Sequence, residues 1–169
     1  MTSDVIRKTV GDWVYRHLVN FKHQPDDDVI EPFAKALLIA AKGDRVLSQA
    51  ERDWVIGLTA AKGGSEQLIE ELKNYSADED IEQVISNHPF SNQGRRALIY
   101  TAIQACAADS EYNEGEKVSV RKIAAKLEIS EDVVKQIEDL CQEEKTQLIK
   151  RVKLLYPDGH PMLVEDNGK

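Results

Sequence analysis

Two short acidic segments carry the side chains best suited to chemistry in this chain. They span residues 40–51 and 105–116, and they align at a constant offset of 65 positions. The aligned residues include Ala40 with Ala105, Asp44 with Asp109 and Glu51 with Glu116. Carboxylates separated by a short turn offer the oxygen ligands that Ca²⁺ or Mg²⁺ prefers. The repeat therefore indicates one structural unit used twice, with the chemistry of a divalent-cation site.

Each segment has a structural interpretation and a cation-binding one, and the residues leave both open. In the structural interpretation, Asp44 and Asp109 accept backbone N–H bonds within the turn, while Glu51 and Glu116 complete capping boxes of the next helix. In the other interpretation, these four carboxylates are ligands of Ca²⁺ or another divalent cation. Neither segment is an EF-hand loop, because the Asp-to-Glu distance is too short.

The second segment is the stronger candidate for a cation site. It adds Glu111 and Glu114, and its Asn113 is an oxygen donor at the place of Ser48, whereas the first segment places Arg45 against any cation. The predicted metal ligands are therefore Asp109, Glu116, Glu111, Asn113, Asp44 and Glu51.

Helical periodicity predicts the elements that must position these residues. Five helices are expected in the first half of the chain: over about 3–22, from the Asp run at 26–28 to about 42, from 48 to the Gly pair at 63–64, over 65–75 and over 76–87. Three more are expected to begin at about 92, at 113 and at 130. Pro32 is expected in a first helical turn. Capping boxes are predicted for Ser48 with Glu51, Ser76 with Glu79 and Asn113 with Glu116.

These elements predict an all-α fold of about eight helices in a compact, bundle-like domain with an internal pseudo-two-fold repeat. The domain is expected over residues 1–157, with repeat halves at about 30–63 and 92–128 and a tail at 158–169. An apolar stripe on the first helix is expected to dock on the core; it comprises Val5, Ile6, Thr9, Val10, Trp13, Val14, Leu18 and Phe21.

Composition excludes several classes of protein. The 169 residues carry a formal net charge of -8, which disfavours nucleic-acid binding because phosphates require clustered Lys and Arg. No apolar signal-peptide core and no membrane span are present in the sequence. Cys106 and Cys141 indicate free thiols in a reducing compartment, so a cytoplasmic protein is expected.

At the acidic segments the sequence resembles a known family. The string Ala-x-x-Asp-x-x-(apolar)-(Ser/Asn)-x-x-Glu, found twice in an all-helical chain, is similar to the TerB-like domain, over roughly residues 30–140. The resemblance implies a bacterial cytoplasmic protein tied to tellurite or other chemical stress. It also implies protein partners that include an integral-membrane Ter protein. Its proposed metal ligands fall on Asp44, Glu51, Asp109 and Glu116 of this sequence.

Rival functions come from three other classes. An acidic helical scaffold would bind protein partners without a metal. Residues 121–134 resemble a helix-turn-helix, but the segment that would contact DNA, residues 131–140, is acidic and would be repelled by phosphates. An enzyme is not expected, because the four His are scattered and no Gly-rich phosphate loop or nucleophile motif occurs. The oligomeric state is left open.

Overall fold

The computed structural model describes residues 3–43, 46–108 and 112–164 of the chain. Within those ranges the chain forms nine α-helices and no strand, which confirms the all-α prediction with one short helix more than expected. The helices are α1 (Ser3–Val19), α2 (Asp27–Lys42), α3 (Gln49–Ala61), α4 (Glu66–Asn74), α5 (Ile81–Ser86), α6 (Pro89–Gln93), α7 (Arg95–Cys106), α8 (Glu114–Lys126) and α9 (Glu131–Leu155).

Helices α2 and α7 form the centre of the core. Helix α2 packs against every helix from α3 to α8, and α7 crosses it while also contacting α8 and α9. Leu37 and Leu38 of α2 and Leu98 and Ile99 of α7 are almost completely buried. A helix that is apolar on most sides is stable only inside a core. The two acidic segments follow this central pair of helices, one after α2 and the other after α7.

Helices α3 and α8 occupy equivalent places in the repeat. Each has 13 residues, and their bounds differ by 65 positions at both ends. The next helices, α4 and α9, also begin 65 positions apart. Helix α3 packs against α7, and α8 packs against α2. This reciprocal packing is the internal pseudo-two-fold repeat that the sequence predicts.

The same hydrogen-bonded turn ends α3 and α8. It is a Schellman motif, which requires a residue in the left-handed region after the helix. Gly63 takes this place after α3 with a φ of 87°, and Glu128 takes it after α8 with a φ of 59°. The bonds, each from an N–H to a carbonyl, are Gly63 to Ala60 (3.0 Å), Gly64 to Thr59 (2.9 Å), Glu128 to Ala125 (3.1 Å) and Ile129 to Ala124 (2.9 Å).

The predicted capping box between Ser76 and Glu79 is wrong. Helix α5 begins directly after Asp80, whose carboxylate accepts two N–H bonds from the first turn at 3.1 Å each. Ala77 lies ahead of this cap with a φ of 57°, and its side chain is buried. A left-handed residue interrupts a helical path, so the helix starts four residues later than predicted, at the next strong cap.

Helix α1 docks through a different face from the predicted one. Most of the predicted stripe is in solvent, since Val5, Ile6, Val10, Trp13, Leu18 and Phe21 are 44% to 63% exposed. The buried residues of α1 are Gly11 and Tyr15. A Cβ at Gly11 would lie 1.8 Å from Oε1 of Gln24, whose side chain fills that space. Helix α1 therefore docks through the face on which Gly11 allows the close approach of Gln24, although the predicted stripe is more hydrophobic.

Two further details of the helices differ from or agree with expectation. Helix α2 begins at Asp27, so Pro32 lies inside it and not in its first turn. The start at Asp27 agrees with the predicted start in the Asp run at 26–28, whose carboxylates face the positive end of the helix dipole. Cys106 is buried and Cys141 is partly buried, and the two do not form a disulfide with each other, as predicted. Of the helices in the described ranges, none has the length and apolar character to cross a membrane.

Candidate functional site

The first corner joins α2 to α3 and contains a confirmed capping box. Gly43 turns the chain after Lys42 with a φ of 52°, and a Cβ there would lie 2.9 Å from Cβ of Ser119 on α8. Ser48 Oγ accepts the N–H of Glu51 at 3.1 Å, and Glu51 Oε2 accepts the N–H of Ser48 at 2.8 Å. The first corner is thus held both by its own hydrogen bonds and by the opposite half of the repeat.

The second corner joins α7 to α8 and contains the second confirmed capping box. Asn113 Oδ1 accepts the N–H of Gly115 at 2.9 Å and that of Glu116 at 3.1 Å. Glu116 Oε2 accepts the N–H of Asn113 at 2.8 Å. The Asn cap therefore satisfies two of the free N–H groups at the start of α8, whereas the Ser cap of α3 satisfies one.

Both capping glutamates are buried to a degree that is rare for carboxylates. Glu51 is 0% exposed and Glu116 is 1% exposed. A buried carboxylate must be met by hydrogen bonds or opposite charge. The N–H of each cap residue and the positive end of each helix dipole provide part of that compensation. The repeat therefore places one carboxylate in the core at each corner.

A polar contact between the second corner and α9 was missed at the sequence level. The Tyr112 hydroxyl donates to Glu138 Oε1 at 3.2 Å, and Arg121 Nη2 donates to Glu138 Oε2 at 2.9 Å. Burial and the nearby Glu138 carboxylate raise the pKa of Tyr112 well above its usual range, so the phenol stays protonated. The three residues follow no local spacing, so no sequence signal could have found this contact.

Each corner also carries an ion pair at the surface. Lys42 pairs with Asp78 and donates to the carbonyl of Ser76 at 3.2 Å. Lys117 pairs with Glu114 within the first turn of α8. The lysine hydrogen bond lowers the pKa of Asp78 at the first corner and that of Glu114 at the second. Both pairs are accessible to solvent, so salt screens them and they add little to stability.

The structure is similar to the crystal structure of a tellurite resistance protein from Nostoc punctiforme PCC 73102. The two chains share 37% of their residues with a TM-score of 0.88, over 95% of this chain and 99% of the other. This chain belongs to the TerB-like family. No family model matches the chain, and no curated protein matches it.

The predicted ligands of this TerB-like chain divide into two groups. Glu51, Asn113 and Glu116 lie in the capping boxes, whereas Asp44, Asp109 and Glu111 fall outside the described residues. Within the ranges that the structure describes, no three His, Cys, Asp or Glu side chains are grouped to hold a metal ion. The six-residue cation site therefore remains a prediction.

The segment of the TerB-like chain that resembles a helix-turn-helix comprises the second half of α8 and the start of α9. Glu131, Asp132 and Asp139 are exposed on α9, beside Lys135. This exposed surface has a negative balance, which would repel a phosphate backbone. The residues of the segment that are buried, including Val134, belong to the core of the repeat.

Proposed function

We propose that this protein is a cytoplasmic, non-enzymatic TerB-like protein that acts in resistance to tellurite or a related chemical stress. One observation carries the proposal, namely the 37% identity over 95% of the chain to a tellurite resistance protein. A fold by itself does not define a function. A likeness in sequence that extends over nearly the whole chain is a stronger guide than the fold.

The proposed mechanism is the binding of Ca²⁺ or another divalent cation at the second corner. Asp109 and Glu116 would be the principal ligands, with Glu111 and Asn113 as further oxygen donors. The capping box supports this assignment, because it fixes Asn113 and Glu116 before any ion arrives. Preorganised ligands lose little conformational freedom on binding. The equivalent first corner, with Asp44 and Glu51, would bind more weakly because Arg45 opposes a cation.

The protein is further proposed to act through protein partners, one of them a membrane Ter-type protein as in the family. The exposed apolar side chains of α1 support this part of the proposal, since Trp13 and Leu18 are 63% and 62% exposed. Apolar groups gathered on one exposed helix are a common feature of protein contact surfaces.

Thermal unfolding of chelator-stripped protein tests the cation. The protein is unfolded with millimolar Ca²⁺, Mg²⁺, Mn²⁺ or Zn²⁺, and one of these ions should raise the unfolding midpoint. A ligand at a hundred times its Kd adds about 2.7 kcal/mol to the free energy of unfolding. Asp109→Asn should abolish the shift, whereas the exposed control Glu131→Gln should keep it. A shift that survives in Asp109→Asn would contradict the assignment to the second corner.

Growth on tellurite tests the biological role independently of the ion. Loss of the gene in the native host should lower the tellurite concentration that permits growth, and the wild-type gene should restore it. A host that grows equally well with and without the gene, on tellurite and on other oxidants, would refute the role in resistance.

The alternative is an acidic helical scaffold that binds partners without a metal. It is favoured by the two capping boxes, which give Glu51 and Glu116 a structural task without any ion. Under this alternative no cation shifts the unfolding midpoint, while Glu116→Ala still lowers stability through loss of the box.

A further inference from the structure

An apolar cavity lies between the end of α1 and helices α2, α3, α6 and α7, and neither corner contributes to it. Its volume is about 100 Å³, and its walls include Phe33 and Leu37. Phe21 and Phe90 line it as well, and these rings are 50% and 66% exposed. An apolar space bordered by partly exposed aromatic rings has the features of a small-molecule site.

Lys62 is the one charged side chain among the described residues that line this cavity. Its ammonium lies 5.5 Å from the centre of the Tyr15 ring and 5.3 Å from that of Phe33. Such ring contacts attract a cation, and among the described residues no oxygen accepts a hydrogen bond from its three N–H donors. Burial lowers the pKa of Lys62 to about 8.

The two aliphatic hydroxyls that line the cavity are already engaged with backbone carbonyls. The Thr59 hydroxyl donates its proton to the Val55 carbonyl at 2.8 Å, and the Ser91 hydroxyl donates to the Val29 carbonyl at 2.7 Å. Burial raises the pKa of Tyr15 to about 12, so its phenol is neutral at physiological pH. Among the described residues that line the cavity, Lys62 therefore provides a positive charge that no negative charge opposes.

We infer that the cavity binds a small monocarboxylate with an apolar tail, whose carboxylate pairs with the ammonium of Lys62. The single ammonium matches a single negative charge. It repels protonated amines, and it binds a neutral alcohol more weakly than a carboxylate. The cavity of about 100 Å³ is smaller than the roughly 150 Å³ that holds benzene, so only part of a short tail is enclosed and the rest lies against the exposed rings of Phe21 and Phe90. Phe21 and Phe90 would cover the bound tail.

Sodium hexanoate is the probe, with 1-hexanol, hexylamine and sodium chloride of equal ionic strength as controls. Hexanoate should raise the unfolding midpoint with the logarithmic dependence on concentration expected for a ligand of the folded state, and more than any control. Lys62→Met should weaken hexanoate binding at least about tenfold, because a charge-assisted hydrogen bond is lost. Lys22→Met removes an exposed lysine outside the cavity and should leave the binding unchanged.

Amide resonances locate the probe. Hexanoate should shift the signal of Gly94, which lines the cavity, and leave that of Gly159, which lies in the segment after α9. Equal binding to wild type and Lys62→Met, equal stabilisation by hexanol, or no hexanoate-dependent shift at all would each overturn the inference. A stabilised protein with an unmoved Gly94 signal would overturn it as well.

Discussion

The turns that end α3 and α8 have the same backbone hydrogen bonds, but their side chains differ in burial and in the groups that they contact. Their Schellman bonds match position by position across the repeat. At the helix C-cap, however, Lys62 lines the cavity, whereas the equivalent Leu127 is 1% exposed in the core. At the left-handed residue that follows the C-cap, Gly63 is buried and Glu128 is exposed. Backbone hydrogen bonds alone therefore reproduce the turn, while neighbouring elements decide its side chains.

The neighbour that separates the two turns is α1 with its following segment. Gln24 fills the space beside Gly63, where a Cβ would lie 2.1 Å from Oε1 of Gln24. Arg7 of α1 donates to the Gly63 carbonyl at 3.2 Å. The Leu127 carbonyl instead accepts from Arg95 of α7 at 3.3 Å. The first turn is thus covered by an element outside the repeat, and the second closes directly on the core.

The largest effect is expected where the second turn enters the core. Leu127→Ala should lower the free energy of unfolding by about 2–5 kcal/mol, because the cavity left by a fully buried leucine is only partly refilled. Lys62→Ala at the equivalent position should cost far less. Urea unfolding of both variants measures the difference, and equal losses would mean that the two turns are packed alike.

The next effect depends on pH. Below pH 8, Lys62 is charged in both states and its burial destabilises the folded one, so Lys62→Met should be more stable by at most about 3 kcal/mol. Between pH 8 and 10.5 the folded wild type loses its proton first, and the advantage of Lys62→Met should fade. Urea unfolding at pH 7, 9 and 10.5 tests this trend. An advantage independent of pH would mean that packing, not charge, sets it.

A smaller effect contrasts the two left-handed residues. Gly63→Ala should cost about 2 kcal/mol, because a Cβ is strained at a φ of 87° and displaces the Gln24 side chain. Glu128→Gly should be neutral or slightly stabilising, since glycine relieves the left-handed strain of an exposed residue but loosens the unfolded chain. Thermal unfolding compares them, and a large loss in Glu128→Gly would contradict this contrast.

The side-chain hydrogen bonds that the sequence predicted correctly are local ones. Ser48 with Glu51 and Asn113 with Glu116 are three positions apart, so their hydrogen bonds need no information from other helices. The Ser76 prediction had the same form and was wrong, because the left-handed Ala77 that follows it is set by burial in the core.

The features that the sequence did not reveal depend on helices that are distant along the chain. Tyr15, Phe33 and Lys62 meet at one cavity from α1, α2 and the end of α3. The docking face of α1 depends on Gln24 filling the space at Gly11, which no periodicity reports. Periodicity identifies which faces are apolar, but the packing partner decides which apolar face is buried.

The smallest effect separates two serines at the same place in the repeat. Ser65 Oγ accepts the N–H of Leu68 at 3.2 Å, so Ser65→Ala should cost about 1 kcal/mol. Ser130 lies at the N-cap of α9, but its side chain accepts no capping hydrogen bond. Ser130→Ala should therefore lower the free energy of unfolding by only about 0.3 kcal/mol. Chemical denaturation with both variants in one series resolves this difference. Equal costs would show that Ser130 caps α9 in solution, and the two halves of the repeat would then be alike at this position.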